Sequence, residues 1–241
     1  MSAAIRFVLV DTSHPGNIGA GARAMKNMGL SSLVLVRPQA HPNPESLVRA
    51  SGAADIVARA SVLPDVASAV ADCGLVIGTT ARPRSANHRV LDAREAAREL
   101  VAAAASRPAA VLFGGERNGL ANDELARCHA LLRIPAAAAY ESLNLAQAVQ
   151  IVAYEIHMTS LGEAGANPDA AAPPATAKEM AALEAHLDAV MTQVGFLHNR
   201  NAGQLRLRIR RLLSRAAPDD GEVRILRGLL AAIERCTPPA E

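Results

Sequence analysis

Three short segments combine glycines with small polar or charged side chains, a composition suited to ligand binding and catalysis. The first spans residues 12–23 and contains Asn17 and Arg23. The second, residues 113–120, reads FGGERNGL and contains Glu116; the third spans residues 134–149 and contains Asn144. Glycine lets backbone amides approach a ligand closely, and a Ser or Asn before a helical run caps the helix. An arginine, a carboxylate and side-chain amides are thus available for one site.

Two familiar nucleotide-binding patterns fit these segments poorly. Gly19-x-Gly21-x-x-Ala24 satisfies the dinucleotide fingerprint, in which the glycines follow a strand at once and an acid ends the next strand. Here Gly19 lies well beyond the first apolar run, and the second apolar run ends in Arg37-Pro38. Residues 113–120 are not a phosphate-binding P-loop, because no Gly-Lys-Ser/Thr follows. A nicotinamide enzyme is therefore a distant alternative.

The composition restricts how a nucleic acid could be bound. Hydrophobic residues make up 50% of the 241 residues, but aromatic residues only 2%, and there is no Trp. RNA readers that stack bases on exposed rings are therefore excluded. The net charge of +2 is too small to indicate a partner, yet all basic residues except Lys26 and Lys178 are arginines. Arginine suits bidentate phosphate contacts, although a GC-rich genome would favour it equally.

No targeting segment or metal motif is evident. The N-terminus has no apolar run with a cleavage-site pattern, and no stretch approaches the length of a membrane span. Cys73, Cys128 and Cys236 are far apart without a CxxC pair, which predicts reduced thiols. The histidines are scattered without ligand-like spacing. We therefore expect a cytoplasmic protein with no metal.

The first part of the chain alternates short apolar runs with helical stretches, which predicts an α/β fold. Predicted strands cover residues 5–10, 33–36, 75–78, 110–113 and 131–134. Predicted helices cover residues 18–28, 64–71, 92–104, 123–128 and 143–159. Strands this apolar, separated by helices, indicate a parallel sheet with helices on both faces.

The remainder predicts a small all-helical extension. Residues 163–177 are rich in Ala, Pro and Gly and indicate a linker between a domain at 1–162 and an extension at 178–241. Asp219 and Glu222 form a capping box that starts a last helix. Residues 204–215 alternate like a strand at first, but their flanks favour a helix. This helix would turn Leu205, Ile209, Leu212 and Leu213 inward and place Arg208, Arg211 and Arg215 on another face.

Taken together and in order, the three segments resemble the three motifs of the SpoU (TrmH-like) branch of the SPOUT RNA methyltransferases. The matching patterns are N-x-G-x-x-x-R at 17–23, F-G-x-E-x-x-G-L at 113–120 and I-P…S-L-N-L-x-x-A-V at 134–149. The N-terminal run VDTSHPGNIGAGARAMKNMGL and the C-terminal run ILRGLLAAIE are similar to the subgroup that methylates the 2′-hydroxyl of nucleotide 32 in the anticodon loop of tRNA. The resemblance covers nearly the whole chain except the linker.

The resemblance implies several features that periodicity alone does not. It implies a C-terminal trefoil knot in the α/β domain, a homodimer with sites near the subunit interface, and S-adenosylmethionine as cofactor bound in the knot. By position, the implied cofactor-binding residues are Thr79, Thr80, Ala81, Gly114, Ile134, Glu141, Ser142 and Leu143. Relatives often carry a small polar residue in place of Glu141; the difference is harmless if only the main chain of this residue contacts the cofactor, and otherwise this contact is not implied. Gly115 occupies a variable position.

Arg23 is the catalytic residue that the resemblance implies. Methyl transfer is an in-line displacement that needs the ribose oxygen aligned and its proton removed. Arginine stays protonated in proteins, so Arg23 is not a free base. We expect it to bind a neighbouring phosphate and stabilise the developing alkoxide, with the proton passing to that phosphate. Glu116 would pair with Arg23, while Asn17 and Asn144 would fix the loops; local scaffolding explains these three residues equally well.

The RNA surface is assigned by position. Arg82 and Arg84 follow the implied cofactor loop and are expected to meet phosphates of the anticodon loop, while Arg208 and Arg211 would hold the body of the tRNA. Two alternatives stay open: a SpoU enzyme acting on ribosomal RNA or another tRNA position, and a non-catalytic RNA-binding protein of the same fold.

Overall fold

The computed structural model describes residues 4–81, 88–137, 139, 141–162, 173–197 and 202–236. Within these residues the strands are Ile5–Val10 (β1), Leu33–Val36 (β2), Ser61–Leu63 (β3), Leu75–Thr79 (β4), Val90–Leu91 (β5), Ala109–Phe113 (β6) and Ala130–Leu132 (β7). The α-helices are Pro15–Asn27 (α1), Pro44–Ala50 (α2), Ala54–Ala58 (α3), Val66–Val70 (α4), Ala93–Ala104 (α5), Asn122–Leu125 (α6), Leu145–Gly162 (α7), Ala177–Gln193 (α8), Ala202–Ala216 (α9) and Asp220–Cys236 (α10). No helix in this described part is long and apolar enough to cross a membrane.

The strands form one parallel sheet in the order β3-β2-β1-β6-β4-β7-β5. The predicted parallel sheet is thus confirmed. The central strands are apolar at nearly every position because helices cover both faces of a parallel sheet. Successive strand residues point to opposite faces, so Phe7 and Phe113 stack on one side, with ring centroids 5.7 Å apart, while Val8 and Leu112 face the other.

Helices on both faces complete the predicted architecture. Helices α1, α3, α5 and α7 cover the face that carries Phe7, and α4 and α6 cover the face that carries Val8. Because all strands are parallel, the loops that follow β1, β4, β6 and β7 emerge at the same edge of the sheet. The three motif segments are therefore brought to one place. The knot stays a prediction from the resemblance.

Gly19 shows why the apparent dinucleotide fingerprint is accidental. Helix α1 crosses α2 so closely that a Cβ atom on Gly19 would lie 2.1 Å from the backbone oxygen of Ser46. The glycine therefore serves helix packing rather than approach to a pyrophosphate. It lies within α1 itself, not in the turn between β1 and α1.

The C-terminal extension forms its own small core and docks on the sheet domain. Met180 and Leu183 of α8 pack against Val223 and Leu230 of α10. The first turn of α8 donates from the Ala177 N–H to the Cys73 carbonyl at 2.8 Å and from the Lys178 N–H to the Ala71 carbonyl at 2.7 Å. The predicted cap of α10 is confirmed, because Asp219 and Glu222 bond reciprocally. Part of the predicted linker, residues 163–172, lies outside the described residues.

Residues 204–215 belong to helix α9, as their flanks predicted. Leu213 packs against the core of the extension, and Leu205 and Ile209 are partly buried. The inward placement of Leu212 is wrong, because its side chain is 55% exposed. The physical reason is that α9 turns Ser214 toward the end of α6, where its hydroxyl donates to the Ala126 carbonyl at 3.4 Å. Leu212 is left facing solvent.

One buried histidine makes the sheet domain sensitive to acid. His129 precedes β7, is only 7% exposed, and its Nδ1 accepts the Val76 N–H at 3.0 Å. Burial is the main cause that lowers the pKa of His129 to about 4, from an ordinary value of 6.5. The ring therefore stays neutral in the folded state under conditions that protonate it in the unfolded chain.

We expect His129→Asn to reduce the loss of stability in acid. Between the unfolded pKa of 6.5 and the folded pKa of about 4, only the unfolded chain gains the proton, so the free energy of unfolding falls as pH falls. From pH 7 to pH 5 this one group should cost about 2 kcal/mol. Asparagine keeps an acceptor for Val76 but does not titrate. Urea unfolding at both pH values measures the difference, and an equal pH dependence in the variant would contradict the assignment.

Candidate active site

A cavity of about 610 Å³ opens at the carboxyl edge of the sheet, beyond β4, β6 and β7. It is lined by Leu125 and by three groups of residues, namely Thr79 to Ala81, Phe113 to Leu120, and a set running from Leu132 to Ala148. All of the positions implied to bind cofactor lie along it: Thr79, Thr80, Ala81, Gly114, Ile134, Glu141, Ser142 and Leu143. Glu116 and Asn144 line it as well, whereas Asn17 and Arg23 do not.

The carboxylate of Glu116 holds the segment between β1 and α1. Its Oε2 accepts the N–H and the hydroxyl of Ser13, both at 2.9 Å, and its Oε1 accepts the His14 N–H at 3.3 Å and the Asn17 amide at 2.7 Å. Burial by itself would raise the pKa of Glu116, but the donors from Ser13 and Asn17 outweigh it and lower the pKa to about 2. Glu116 is therefore ionised at every working pH.

Asn17 connects Glu116 to the third segment through hydrogen bonds. Its Nδ2 donates to Glu116, so its Oδ1 is free to accept the Asn144 Nδ2 at 3.0 Å. Asn144 directly precedes α7, and its Oδ1 accepts the Ala146 N–H at 2.9 Å as a helix cap. We call this series of contacts the Glu116–Asn17–Asn144 chain. It connects all three motif segments with side chains that the sequence singled out.

The glycines of the second segment allow two close approaches. A Cβ atom on Gly114 would lie 2.1 Å from the backbone of Gly119, so the loop closes tightly on itself. A Cβ atom on Gly115 would lie 2.7 Å from the Asp11 carbonyl oxygen. Sequence reasoning did not single out Gly115, because the residue that requires a glycine there, Asp11, is distant along the chain. Both positions require glycine because backbone atoms cannot give way.

A second group of charges, also missed from the sequence, fixes the ends of β1 and β2. The Arg37 guanidinium donates to both carboxylate oxygens of Asp11 at 2.8 Å and to the buried carboxylate of Glu124 at 2.5 Å. Asp11 and Arg37 both have positive φ angles, of 52° and 48°. Such backbone conformations persist in non-glycine residues only where contacts enforce them. The only sequence signal was that each residue ends an apolar run.

Arg23 lies apart from the cavity. It is exposed on α1, and no hydrogen bond or ion pair joins it to a described residue. The expected pairing of Glu116 with Arg23 is wrong: the carboxylate is occupied by Ser13, His14 and Asn17, and the two residues project from different elements. Arg23 therefore keeps its full charge toward solvent.

The side chain of Glu141 is turned to a neighbour at the rim of the cavity. Its carboxylate accepts from Arg133 Nη2 at 3.0 Å, across the loop that follows β7. Glu141 and Ser142 both line the cavity.

The expected RNA-binding arginines divide into two groups. Arg82 and Arg84 lie outside the described residues. Arg208 and Arg211 both lie on α9, the first exposed and the second partly buried. Among the described residues, no group of three or more His, Cys, Asp or Glu side chains could hold a metal ion.

Comparison with known proteins identifies the family. The SpoU rRNA methylase family matches residues 4–154, and the C-terminal domain of the tRNA methyltransferase TrmJ matches residues 178–241. The chain is 44% identical over 235 residues to the tRNA (cytidine/uridine-2′-O-)-methyltransferase TrmJ of Salmonella typhimurium, which covers 96% of each chain.

Solved structures agree with this assignment. TrmJ from Z. mobilis ZM4 superposes with a TM-score of 0.84 at 35% identity, covering 96% of this chain and 100% of that one. An AdoMet-bound rRNA methyltransferase from Sinorhizobium meliloti superposes with a TM-score of 0.51 at 26% identity, covering 66% and 57% of the two chains. The chain belongs to the SpoU methylase family and, within it, to the TrmJ group.

Proposed function

We propose that this chain methylates the 2′-hydroxyl of a ribose in tRNA, at nucleotide 32 of the anticodon loop, with S-adenosylmethionine as methyl donor. The observation that carries the proposal is the cavity at the carboxyl edge of the sheet, whose three lining segments are joined by the Glu116–Asn17–Asn144 chain. It occurs in a chain that is 44% identical to a tRNA (cytidine/uridine-2′-O-)-methyltransferase over almost its full length. Because the substrate is tRNA, we assign the activity to the cytoplasm.

The cavity suits the proposed cofactor in size and chemistry. Its volume of about 610 Å³ lies within the range of small-molecule sites, and its walls combine the small residues Gly114 and Ser142 with the apolar residues Ile134 and Leu143. Such walls hold an adenosine through main-chain hydrogen bonds and apolar contact. S-adenosylmethionine supplies a methyl group on a sulfonium that needs no further activation. The protein must therefore align the ribose and manage its proton.

Arg23 is the residue proposed to act on the ribose. Its guanidinium carries a permanent charge and five donors, so it binds a phosphate next to the target ribose and stabilises the alkoxide as the proton leaves. It has no partner among the described residues, so all of its donors face solvent. The proton passes to the bound phosphate, since arginine itself is not a base.

Glu116, Asn17 and Asn144 are proposed as positioning residues. Glu116 has a pKa of about 2, and its carboxylate already accepts hydrogen bonds from Ser13, His14 and Asn17, so it does not take the ribose proton. Its role is to fix the start of α1, which carries Arg23, relative to the cavity. A change in this role should alter geometry and cofactor binding without shifting the pH dependence of the reaction.

We further propose that the active enzyme is a homodimer in which Arg23 serves the cavity of the second subunit. Arg23 is exposed and does not line the cavity of its own chain, although the proposed reaction needs the two together. A two-fold dimer places the same surface of each subunit against its copy. An exposed residue on α1 can then complete a site that it does not reach within one chain.

The tRNA substrate gives the first prediction that tests the proposed function. Purified protein with labelled S-adenosylmethionine should methylate unmodified tRNA transcripts at the ribose of nucleotide 32, and Arg23→Ala should reduce transfer at least about 100-fold while cofactor binding persists. Mapping of ribose methylation identifies the nucleotide. Label incorporated only into ribosomal RNA, or at another tRNA position, would replace the substrate assignment. Cofactor binding with no transfer to any RNA would indicate a non-catalytic protein.

Glu116→Gln gives the second prediction. The new amide must place its N–H₂ group against donors, either those of Ser13 or those of His14 and Asn17, which should cost about 1–3 kcal/mol of stability. We expect weaker cofactor binding by calorimetry and slower transfer with an unshifted pH profile. Glu99→Gln is the matched control, because Glu99 makes one partly exposed ion pair with Arg89. Equal behaviour of the two variants would remove the proposed role of Glu116.

Subunit complementation gives the third prediction. Arg23→Ala lacks the guanidinium, and Ser142→Trp fills the cavity, so each variant alone should be inactive. If Arg23 serves the second subunit, a mixed dimer contains one intact site, and co-expressed chains should recover roughly a quarter of wild-type activity. Recovery near zero would show that Arg23 acts on its own cavity. A monomer in active solutions, measured by light scattering, would overturn the dimer.

A further inference from the structure

The arginines of α9 differ in whether they have a counter-charge. Arg206 pairs with Asp188, and Arg210 Nε donates to Glu184 at 2.7 Å, both carboxylates lying on α8. Arg211 and Arg215 have no carboxylate partner among the described residues. Ion pairs with α8 thus account for the arginines on one side of α9, whereas Arg211 and Arg215 on the other side have no such explanation.

Arg211 lies next to a second group that lacks a partner. Its Nε atom is buried without a hydrogen bond, and so are both ring nitrogens of His88. His88 is only 7% exposed and directly precedes the short strand β5. A buried N–H that loses water without gaining a partner costs about 1–3 kcal/mol, so such groups are rare unless something else satisfies them.

The position of α9 brings these groups together. Ser214 on α9 donates to the Ala126 carbonyl just beyond α6, and the Leu125 carbonyl lies close to the His88 ring without hydrogen-bond geometry. We call His88, Arg211 and Arg215 the His88 cluster. None of its members lines the cavity, so the cluster is a separate feature at the contact between the extension and the sheet domain.

The electrostatics of the His88 cluster are those of an incomplete anion site. Burial is the largest cause that lowers the pKa of His88, and the positive charges of Arg211 and Arg215 lower it further. The Leu125 carbonyl acts in the opposite direction, and no carboxylate among the described residues does. Arg211 is partly buried and Arg215 exposed, and their like charges lie near the buried His88 ring. A bound anion would offset the repulsion between them and provide a partner for the unsatisfied nitrogens.

We propose that the His88 cluster binds a phosphodiester group of the RNA backbone, clamping the substrate between the sheet domain and the C-terminal extension. The inference rests on the proposed function for its substrate. The guanidinium of Arg211 matches the fork geometry of phosphate oxygens, and His88 adds an N–H donor from the other domain. S-adenosylmethionine carries no phosphate, so the cofactor is not the anion expected here. A backbone contact of this kind contributes affinity without reading sequence.

Arg211→Gln tests the proposal through affinity and its salt dependence. We expect tRNA binding to weaken about fivefold to tenfold at moderate salt, and the slope of log affinity against log salt to decrease by about one, the loss of one phosphate contact. Arg206→Gln is the matched control on the same helix; because Arg206 is neutralised by Asp188, affinity and slope should stay within experimental error. An unchanged slope in Arg211→Gln would overturn the proposal.

Stability separates a binding role from a structural one. Removing an unpaired buried charge relieves repulsion, so Arg211→Gln should leave the melting temperature of the free protein equal or higher, whereas a structural role predicts a decrease. The double variant, His88→Asn with Arg211→Gln, should lose less binding free energy for tRNA than the sum of the losses in the two single variants, because both groups contact one phosphate. Additive losses, or a clear fall in melting temperature with unchanged binding, would contradict the clamp.

Inorganic phosphate distinguishes the source of the anion. At constant ionic strength, phosphate should raise the melting temperature of the wild type more than that of Arg211→Gln. Phosphate stabilisation together with normal tRNA binding by the variant would mean that the cluster holds a free anion, which overturns the RNA assignment. Methyl transfer is scored separately. Wild-type protein that binds tRNA through the cluster but transfers no methyl group would refute the proposed function and leave this inference standing.

Discussion

The arrangement of the site depends on one ionised carboxylate. Glu116 lies in a loop that follows β6, yet its oxygens accept donors from Ser13, His14 and Asn17, which follow β1. A carboxylate accepts several hydrogen bonds at once and donates none, so it can hold several backbone and side-chain donors in one geometry. The low pKa of Glu116, about 2, measures how strongly those donors favour the charged form. Loss of the charge on Glu116 would therefore release the first and second segments from each other.

The parallel sheet brings the three motif segments to one edge, and the glycines let their backbones approach one another closely. Parallel strands deliver the loops after β1, β6 and β7 to one edge without any direct pairing between the loops themselves. The Glu116–Asn17–Asn144 chain then supplies the pairing, and Gly115 lets the second loop approach the Asp11 carbonyl more closely than any side chain would permit. Sheet topology therefore brings the loops close together, while polar contacts fix the distances between their residues.

Much of the fold and of the candidate site was predictable, because residues close together in the sequence encode it. Continuous apolar runs predicted five strands, but β3 and β5 were missed, since Ser61–Leu63 is short and largely exposed and Val90–Leu91 has only two residues. The residues implied to bind cofactor, which line the cavity, followed from the resemblance of the three motifs to those of the SpoU family. The contacts of Arg37 with Asp11 and Glu124 could not be predicted, because no local pattern reports which distant charges meet. The pairing expected for Arg23 failed for the same reason: a nearer set of donors already occupied Glu116.

The exceptions to charge pairing carry the most information about substrate. The chain has almost equal numbers of basic and acidic residues, and several of its arginines pair with carboxylates, as Arg206 and Arg210 do. Arg23, exposed on α1, and Arg211, partly buried on α9, have no such partner among the described residues. Pairing either one would add stability to the free protein at the expense of its attraction for phosphate. A polyanion that contacts both α1 and the extension would satisfy both arginines, which is how a chain poor in aromatic residues can hold RNA by charge and shape.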